Sequence, residues 1–394
     1  MCRRLFFWFF VLLAVSACKP HSQEATAQSG GPAVVVSVSS DGRFALSSHL
    51  DNRIVLWNLE RKEKFLVSEN ANIYSAYFVR GAELFLWQGL NDVVHVQGVN
   101  KEEFDSFPHF PTYGHVLSAD LKHYVSCDVD WNLFYDSGDA MKHVKQDGDS
   151  PSFLGQGKLL NLTLADEGNL LLSAGRGFDV PDNLPITAEG AVRPEQTYSD
   201  YAGVVLWDIS SGRPLFKFPG NSAKTNATLS PNGQYVVSGC EGGSSFVWEA
   251  SSGELLHEDA SLYHGILNKN DSDDYENWTF DDTGLIPPPN DLNASVGGAT
   301  LAIKFIDPQH YLRFLTYSPY AVLYHIDNPL PLKYLYLGRD PLPAVRDYHR
   351  NAAMDTAPDA GILVMGQQYG GGIIVYRYDS ETQELNKVWE GDRQ

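Results

Sequence analysis

The sequence predicts an all-β protein: a seven-bladed β-propeller, four antiparallel strands per blade, with two long insertions on one face. Three observations carry this. Tyr and Phe are abundant, at 20 each, and only 4 Met occur, a profile that favours strands. A polar turn followed by a short apolar run recurs, with the run opening at Phe44, Leu84, Tyr124, Leu170, Tyr235, Tyr311 and Ile362. The spacings are 40, 40, 46, 65, 76 and 51 residues, and a base period of roughly 40–45 is that of four-stranded blades.

The first element is a targeting segment, residues 1–17. Arg3 and Arg4 precede an uncharged apolar run, Leu5–Val15. That run is too short to span a bilayer as an ordinary helix. Small residues follow at Ser16 and Ala17, then Cys18. This Val15-Ser16-Ala17-Cys18 sequence resembles a bacterial lipobox. The resemblance implies that the chain is cleaved before Cys18, that Cys18 is diacylated on sulfur, and that cleavage frees its amine, to which such proteins often add a third chain. Two or three acyl chains anchor stably. Position 19 is Lys rather than the Asp that commonly retains such proteins in the inner membrane. The expected location is therefore the outer membrane, facing the periplasm, with the inner membrane and the cell surface left open. Residues 18–32 read as a tether. Residues 19–33 reach at most about 50 Å at ~3.3 Å per residue.

The propeller follows over 33–390. In the first blade, Val34–Val38 is the inner strand, Arg43–Ser48 the second, Ile54–Leu59 the third and Lys64–Val67 the outer one. A second landmark closes the third strand of most copies: Trp57-Asn58, Tyr135-Asp136, Trp207-Asp208, Trp248-Glu249, Ile326-Asp327 and Tyr378-Asp379. Only DVVHVQG, in the second copy, lacks it.

This repeated order resembles the Trp-Asp (WD40) repeat family, in degenerate copies covering nearly all of the mature chain. The resemblance implies a hydrogen-bonded Asp-His-Ser-Trp set within a blade. Blade one offers Asp51, Ser48 and Trp57 without a Gly-His start. Blade three offers Gly114-His115, Ser126 and Asp130, with Tyr135 in place of Trp. Trp207 and Trp248 mark blades four and five. DISSGRPLF and EASSGELLH would equally suit quinoprotein-like propellers. Asn386–Trp389 reads as the last blade's own outer strand, so the ring is expected to close by packing of blade seven on blade one.

Two spacings exceed the period. The first excess, about 176–202, joins the second and third strands of blade four. The other, about 258–299, joins the outer strand of blade five to the inner strand of blade six. Strands in a blade alternate direction, so both loops leave on the same side, where the tether also arrives. The first holds five acids against Arg176 and Arg193, a net of −3; the other holds nine acids against Lys269, a net of −8. Loss of Arg3 and Arg4 takes the chain's formal charge from −20 to −22, so half of it sits in these loops. Such a field attracts basic partners and repels nucleic acid and anionic headgroups.

The acidic run DSDDYENW holds Asp271, Asp273, Asp274, Tyr275, Glu276 and Trp278, and Asp281 and Asp282 follow. Alternating oxygen ligands suit Ca²⁺, but the glycine and glutamate of an EF-hand loop are missing. We read a solvated acidic loop whose Tyr275 and Trp278 either anchor a partner or pin the loop. No cofactor is expected. The twelve His show no HExxH and no close pair with zinc spacing, and no GxSxG elbow occurs. GQQYGGG, residues 366–372, lies between strands and lacks the Lys of a phosphate loop. Cys127 and Cys240 lie two blades apart and read as buried thiols rather than a disulfide.

The expected activity is non-enzymatic: a monomeric propeller lipoprotein presenting its acidic face to an envelope protein, with a basic one fitting the charge. The alternative is a lactonase-like enzyme or small-ligand binder using the central channel, for which Asp51, Asp130 and Asp200 are the nearest acids. Mass spectrometry of the protein from its native membrane is expected to find an acylated chain beginning at Cys18, and an unmodified Cys18→Ala chain. A wild-type chain that keeps residues 1–17, or carries no acyl group, contradicts the anchor.

Overall fold

The computed structural model describes residues 31–137, 152–165, 170–179, 202–209, 211, 213–219, 225–240, 245–259, 300–315, 320–337, 353–367 and 371–391. Seven blades stand in a ring, all antiparallel. Blade one is β1 (Ala33–Val38), β2 (Phe44–His49), β3 (Ile54–Asn58) and β4 (Glu63–Ser68); blade two is β5 (Tyr77–Phe78), β6 (Leu84–Gln88), β7 (Val93–Gly98) and β8 (Glu103–Pro108). Blade three is β9 (Thr112–Leu117), β10 (His123–Asp128), β11 (Asn132–Ser137) and the first part of β12 (Ser152–Leu164). The rest of β12 opens blade four, which continues with β13 (Leu170–Asp179), β14 (Ala202–Asp208) and β15 (Arg213–Pro219). Blade five is β16 (Thr225–Leu229), β17 (Tyr235–Cys240), β18 (Ser245–Glu249) and β19 (Leu255–Asp259). Blade six is β20 (Thr300–Phe305), β21 (His310–Leu315), β22 (Tyr320–His325) and β23 (Lys333–Tyr336). Blade seven is β24 (Met354–Ala357), β25 (Ile362–Gly366), β26 (Ile373–Asp379) and β27 (Glu384–Gly391).

The strands of blade one and the closing blade fall where the sequence places them. Blades three and four depart from the expected separate sheets. They share β12, so seven strands, β9 to β15, form one sheet. β12 has 13 residues and pairs with β11 near its start and β13 along the rest, with register breaks between Gln156 and Lys158 and between Leu159 and Asn161. Gly155 and Gly157 lie at the first break, where absence of side chains lets a strand bend. The outer strand of one blade therefore runs into the inner strand of the next without a turn.

The core is seven clusters, one for each seam between neighbouring blades. Strand β3 shows why its run is apolar throughout. Ile54 and Leu56 face blade two, while Val55 and Trp57 face blade seven. Successive side chains point to opposite faces, and here both faces are covered, so alternation gives way to a continuous apolar run. At the closing seam Val36, Val38, Ala45 and Trp57 pack against Ala357, Ile362, Val364 and Val375. The ring of Trp389 meets that of Trp57 edge-on at 5.9 Å. Gly366 is required there: a Cβ on it would lie 2.6 Å from the Cβ of Ala33. The sheets of the ring are built wholly from Ala33–Gly391, and closure is by side-chain packing between blades, as the sequence leads one to expect.

The long connections join β13 to β14 and β19 to β20, so both leave on one face, as expected. They are shorter than the sequence suggests. β13 extends to Asp179 and β19 to Asp259, which confines the connections to 180–201 and 260–299.

Candidate interaction face

The face that carries both connections also carries the second-to-third-strand turns and the blade-to-blade links. The described chain begins on it: Leu50 N–H donates to Pro32 O at 3.1 Å and Gly31 N–H to Asp51 Oδ2 at 3.1 Å. Asp51 also accepts from Arg53 Nε at 2.8 Å. Partial burial pushes the Asp51 carboxyl upward, but Arg53 and the Gly31 N–H hold it below the usual carboxylate range. Asp51 and Asp130 both lie in second-to-third-strand turns. Cys18, Asp200 and the run Asp271, Asp273, Asp274, Tyr275, Glu276, Trp278, Asp281 and Asp282 lie outside the described residues.

Asp259 was counted above with the acidic insertion. It is instead a core residue, 3% exposed, and it ends the strand before the connection. Its Oδ2 accepts from the Tyr324 hydroxyl at 2.7 Å and sits 3.7 Å from Arg313 Nη1. Arg313 is fully buried. Its Nε and Nη2 donate to Thr300 Oγ1 at 3.0 and 2.9 Å, and Nη1 donates to Ser245 Oγ at 3.3 Å. Thr300 is the first described residue after the connection. One guanidinium thus grips both ends of 260–299 and ties blade five to blade six. Tyr311 and Tyr324 stack on each other, centroids 5.1 Å apart and planes 3° apart, with the guanidinium 6.0 Å from the Tyr324 ring, and burial raises both phenols. Gly239 makes the approach possible: a Cβ there would lie 2.8 Å from Thr300 Cγ2.

Register shows what Arg313 replaces. Trp57 pairs with Ala45, Trp207 with Leu171 and Trp248 with Val236. In each blade the serine two residues further along the second strand accepts from the indole Nε1. The distances are 2.7 Å at Ser47, 2.9 Å at Ser173 and 3.5 Å at Ser238. In blade six Tyr324 pairs with Tyr311, so Tyr324, not Ile326, holds the Trp position and Arg313 the serine position. In blade two Gln97 pairs with Phe85 and Trp87, two residues on, donates to Gln97 Oε1 at 3.3 Å. The indole has crossed to the serine's strand.

Blade one's serine is Ser47, not the expected Ser48, whose hydroxyl donates to Ile73 O. A relay runs inward to outward: Trp57 Nε1 to Ser47, Ser47 to His49 Nε2 at 2.8 Å, His49 Nδ1 to Gly31 O at 2.9 Å. The carbonyl acceptor fixes the tautomer. In blade three the ring nearest Ser126 is that of His109, with Nε2 at 3.0 Å. His115 lies instead within β9, fully buried; its Nε2 donates to Ser75 O at 2.7 Å and its Nδ1 accepts from Tyr124 at 3.0 Å. Tyr135 meets His123 Nδ1 at 3.0 Å. Burial lowers His49, takes His109 to about 4 and His115 to about 3, so all three are neutral packing groups at neutral pH. Burial also raises the unpaired Cys127 thiol; the side chain of Cys240 lies outside the described residues.

The central channel is lined from every inner strand, by Ser37, Tyr77, Val116, Asn161, Thr228, Lys304 and Asp355 among others, around a cavity of about 80 Å³. Its carboxylate, Asp355, is engaged: Oδ1 lies 3.4 Å from Lys304 Nζ and Oδ2 accepts from Val38 N–H at 3.0 Å. Among the described residues no three His, Cys, Asp or Glu side chains gather as metal ligands.

A family model described as "WD domain, G-beta repeat" matches residues 24–58 and 212–249. Those segments end one residue past Trp57 and Trp248. No curated protein matches the sequence. Among solved structures, the chain resembles the Cps50 (Swd1) β-propeller domain of Myceliophteria thermophila, with 10% identity, TM-score 0.56, and coverage of 88% of this chain and 96% of that one. It also resembles a chain of the Mitotic Checkpoint Complex (12%, TM-score 0.55, 98% of each) and Hsv2 of Kluyvelomyces marxianus (11%, TM-score 0.55, 93% and 100%).

The Arg313 grip yields a testable consequence. Asp259→Ala leaves the guanidinium buried without its carboxylate, and denaturant unfolding is expected to show a loss of about 3–5 kcal/mol. A loss under about 1 kcal/mol would mean that the pair is solvated and holds nothing. On the geometry of the seven blades, the repeat matches and the solved relatives together, the chain has the fold of a WD40-like β-propeller.

Proposed function

We propose that this protein is a lipid-anchored periplasmic scaffold of the outer membrane, and that its acidic face binds another envelope protein. Cys18 anchors it, and residues 18–32 let the ring tilt or stand off the surface. The observation that carries the reading is the rooting of both long connections on the face where the described chain begins. After the strand ends are assigned, residues 180–201 keep a net charge of −3 and 260–299 a net of −6. Propeller interaction roles fit this layout, and one of the solved propellers it resembles is part of a named complex, the Mitotic Checkpoint Complex. The reading requires no cofactor. The acids at Asp271, Asp273, Asp274, Glu276, Asp281 and Asp282 supply the field, with Tyr275 and Trp278 as apolar anchors.

The experiment replaces 260–299 with a short glycine linker and keeps Asp259 and Thr300, so that Arg313 retains both partners. Thermal unfolding is expected to shift by no more than a few degrees. Affinity purification from cells is expected to lose the partners that the wild type recovers. Recovery of the same partners by both forms would remove the acidic loop from the contact.

A further inference from the structure

Three neighbouring blades repeat one turn. Asn52 N–H donates to His49 O, Asp92 N–H to Gly89 O and Trp131 N–H to Asp128 O, at 2.9, 3.1 and 3.1 Å. The donor residue has positive φ in each: 64°, 61° and 69°. Equal geometry puts equivalent residues at the tip, and those residues are Leu50, Leu90 and Val129, which are 56%, 59% and 47% exposed. A turn tip is a polar position by default, and an aliphatic side chain there gains nothing from the fold. Three in a row form an arc rather than a scatter.

Aromatic rings lie beside the arc. Tyr74, in the link from blade one to blade two, meets Tyr113 edge-on at 5.2 Å, and Tyr113 stacks on Trp131 at 4.6 Å. All three are half-buried. The described loops of this face over blades one to three, residues 49–53, 69–76, 89–92, 109–111 and 128–131, hold five acids and one base. That base, Arg53, is already paired with Asp51 at 2.7 Å. On the opposite face of the same blades, residues 39–43, 58–63, 80–83, 98–102 and 120–123 hold six acids and six bases. Over blades one to three the charge asymmetry therefore belongs to the described loops themselves, apart from the long connections.

We infer that the arc over blades one to three binds an extended segment of a partner protein in which aliphatic side chains alternate with lysine or arginine. The aliphatic groups meet Leu50, Leu90 and Val129. The cations meet the surrounding carboxylates. The same negative rim disfavours a second copy of this face and an anionic lipid surface. The inference rests on the scaffold reading above but places a contact on residues that reading does not use.

The test uses the protein lacking residues 1–18, which retains the whole ring, and two labelled peptides: alternating leucine and lysine, and alternating serine and lysine. The triple variant Leu50→Ser/Leu90→Ser/Val129→Ser is expected to weaken the leucine–lysine peptide about tenfold or more. Its melting temperature and its binding of the serine–lysine peptide are expected to stay unchanged. A control, Leu256→Ser/Val388→Ser, alters exposed aliphatics on the outer strands of blades five and seven and is expected to bind as wild type. Equal binding by the triple variant and wild type overturns the inference. So does loss of binding only when 260–299 is removed, a result that leaves the scaffold reading standing. Sedimentation showing a dimer that the triple variant abolishes, or binding to neutral lipid vesicles that it abolishes, also overturns it in favour of self-association or a lipid surface.

Discussion

Every blade in this ring is a sheet with two apolar faces, and neither face can be covered by the blade itself. That constraint organises the molecule. Leu46 and Ala45 are sequence neighbours, yet they belong to different seams, on blade two and blade seven. The same division runs along the third strand, from Ile54 to Trp57. Coverage is complete only when the last blade meets the first. No strand is exchanged there; one backbone hydrogen bond, from Ala33 N–H to Gln367 O at 3.4 Å, crosses the seam, and the Trp57–Trp389 contact and the close fit of Gly366 on Ala33 accompany it. Burying an aromatic side chain of this size is worth about 1.5–3 kcal/mol or more, and Trp57 adds it to a seam otherwise lined by Val, Ile and Ala side chains.

Between the apolar seams sits a polar slot in which one hydrogen bond is repeated with changing chemistry. Three blades fill it with an indole and a serine. Blade two moves the indole to the other strand and uses Gln97 as acceptor. Blade six fills it with Tyr324 and Arg313. A buried guanidinium is expensive to desolvate unless its donors are all engaged, and here they are engaged by groups from both blades and both ends of a long connection. The erosion of the repeat in blade six is therefore tied to the insertion beside it. In blade six the position that holds serine in blades one, four and five holds the fastener for the loop.

The order of the blades, the closing strand and the side from which the long connections leave were legible in the sequence, because turn spacing and strand alternation are local and additive. The slots were not. Ser47 and Ser48 are adjacent and both buried, and only pairing register tells which faces Trp57. His115 follows Gly114 as the repeat would have it, but β9 begins at Thr112, which places His115 inside the strand and leaves His109 in the link to reach Ser126. Asp259 looked like one more acid at the head of an acidic loop. The clue was Arg313, a charge in the middle of the apolar run YLRFL, which had to find a carboxylate. The shared strand β12 had no local signature beyond two glycines, since its length depends on how blades three and four meet.

Two acidic connections and an apolar arc all open on the side of the ring where the chain enters it, while the other side is charge-balanced over blades one to three. That layout is stable only if the ring behaves as one cooperative unit rather than as seven weakly linked sheets. Native-state hydrogen exchange on Trp57→Ala tests this most directly, read in β13 and β14, across the ring from the substitution. Closure by packing requires that protection falls in these strands as well as in blades one and seven. Protection lost only beside the seam, with blade four unchanged, would contradict it.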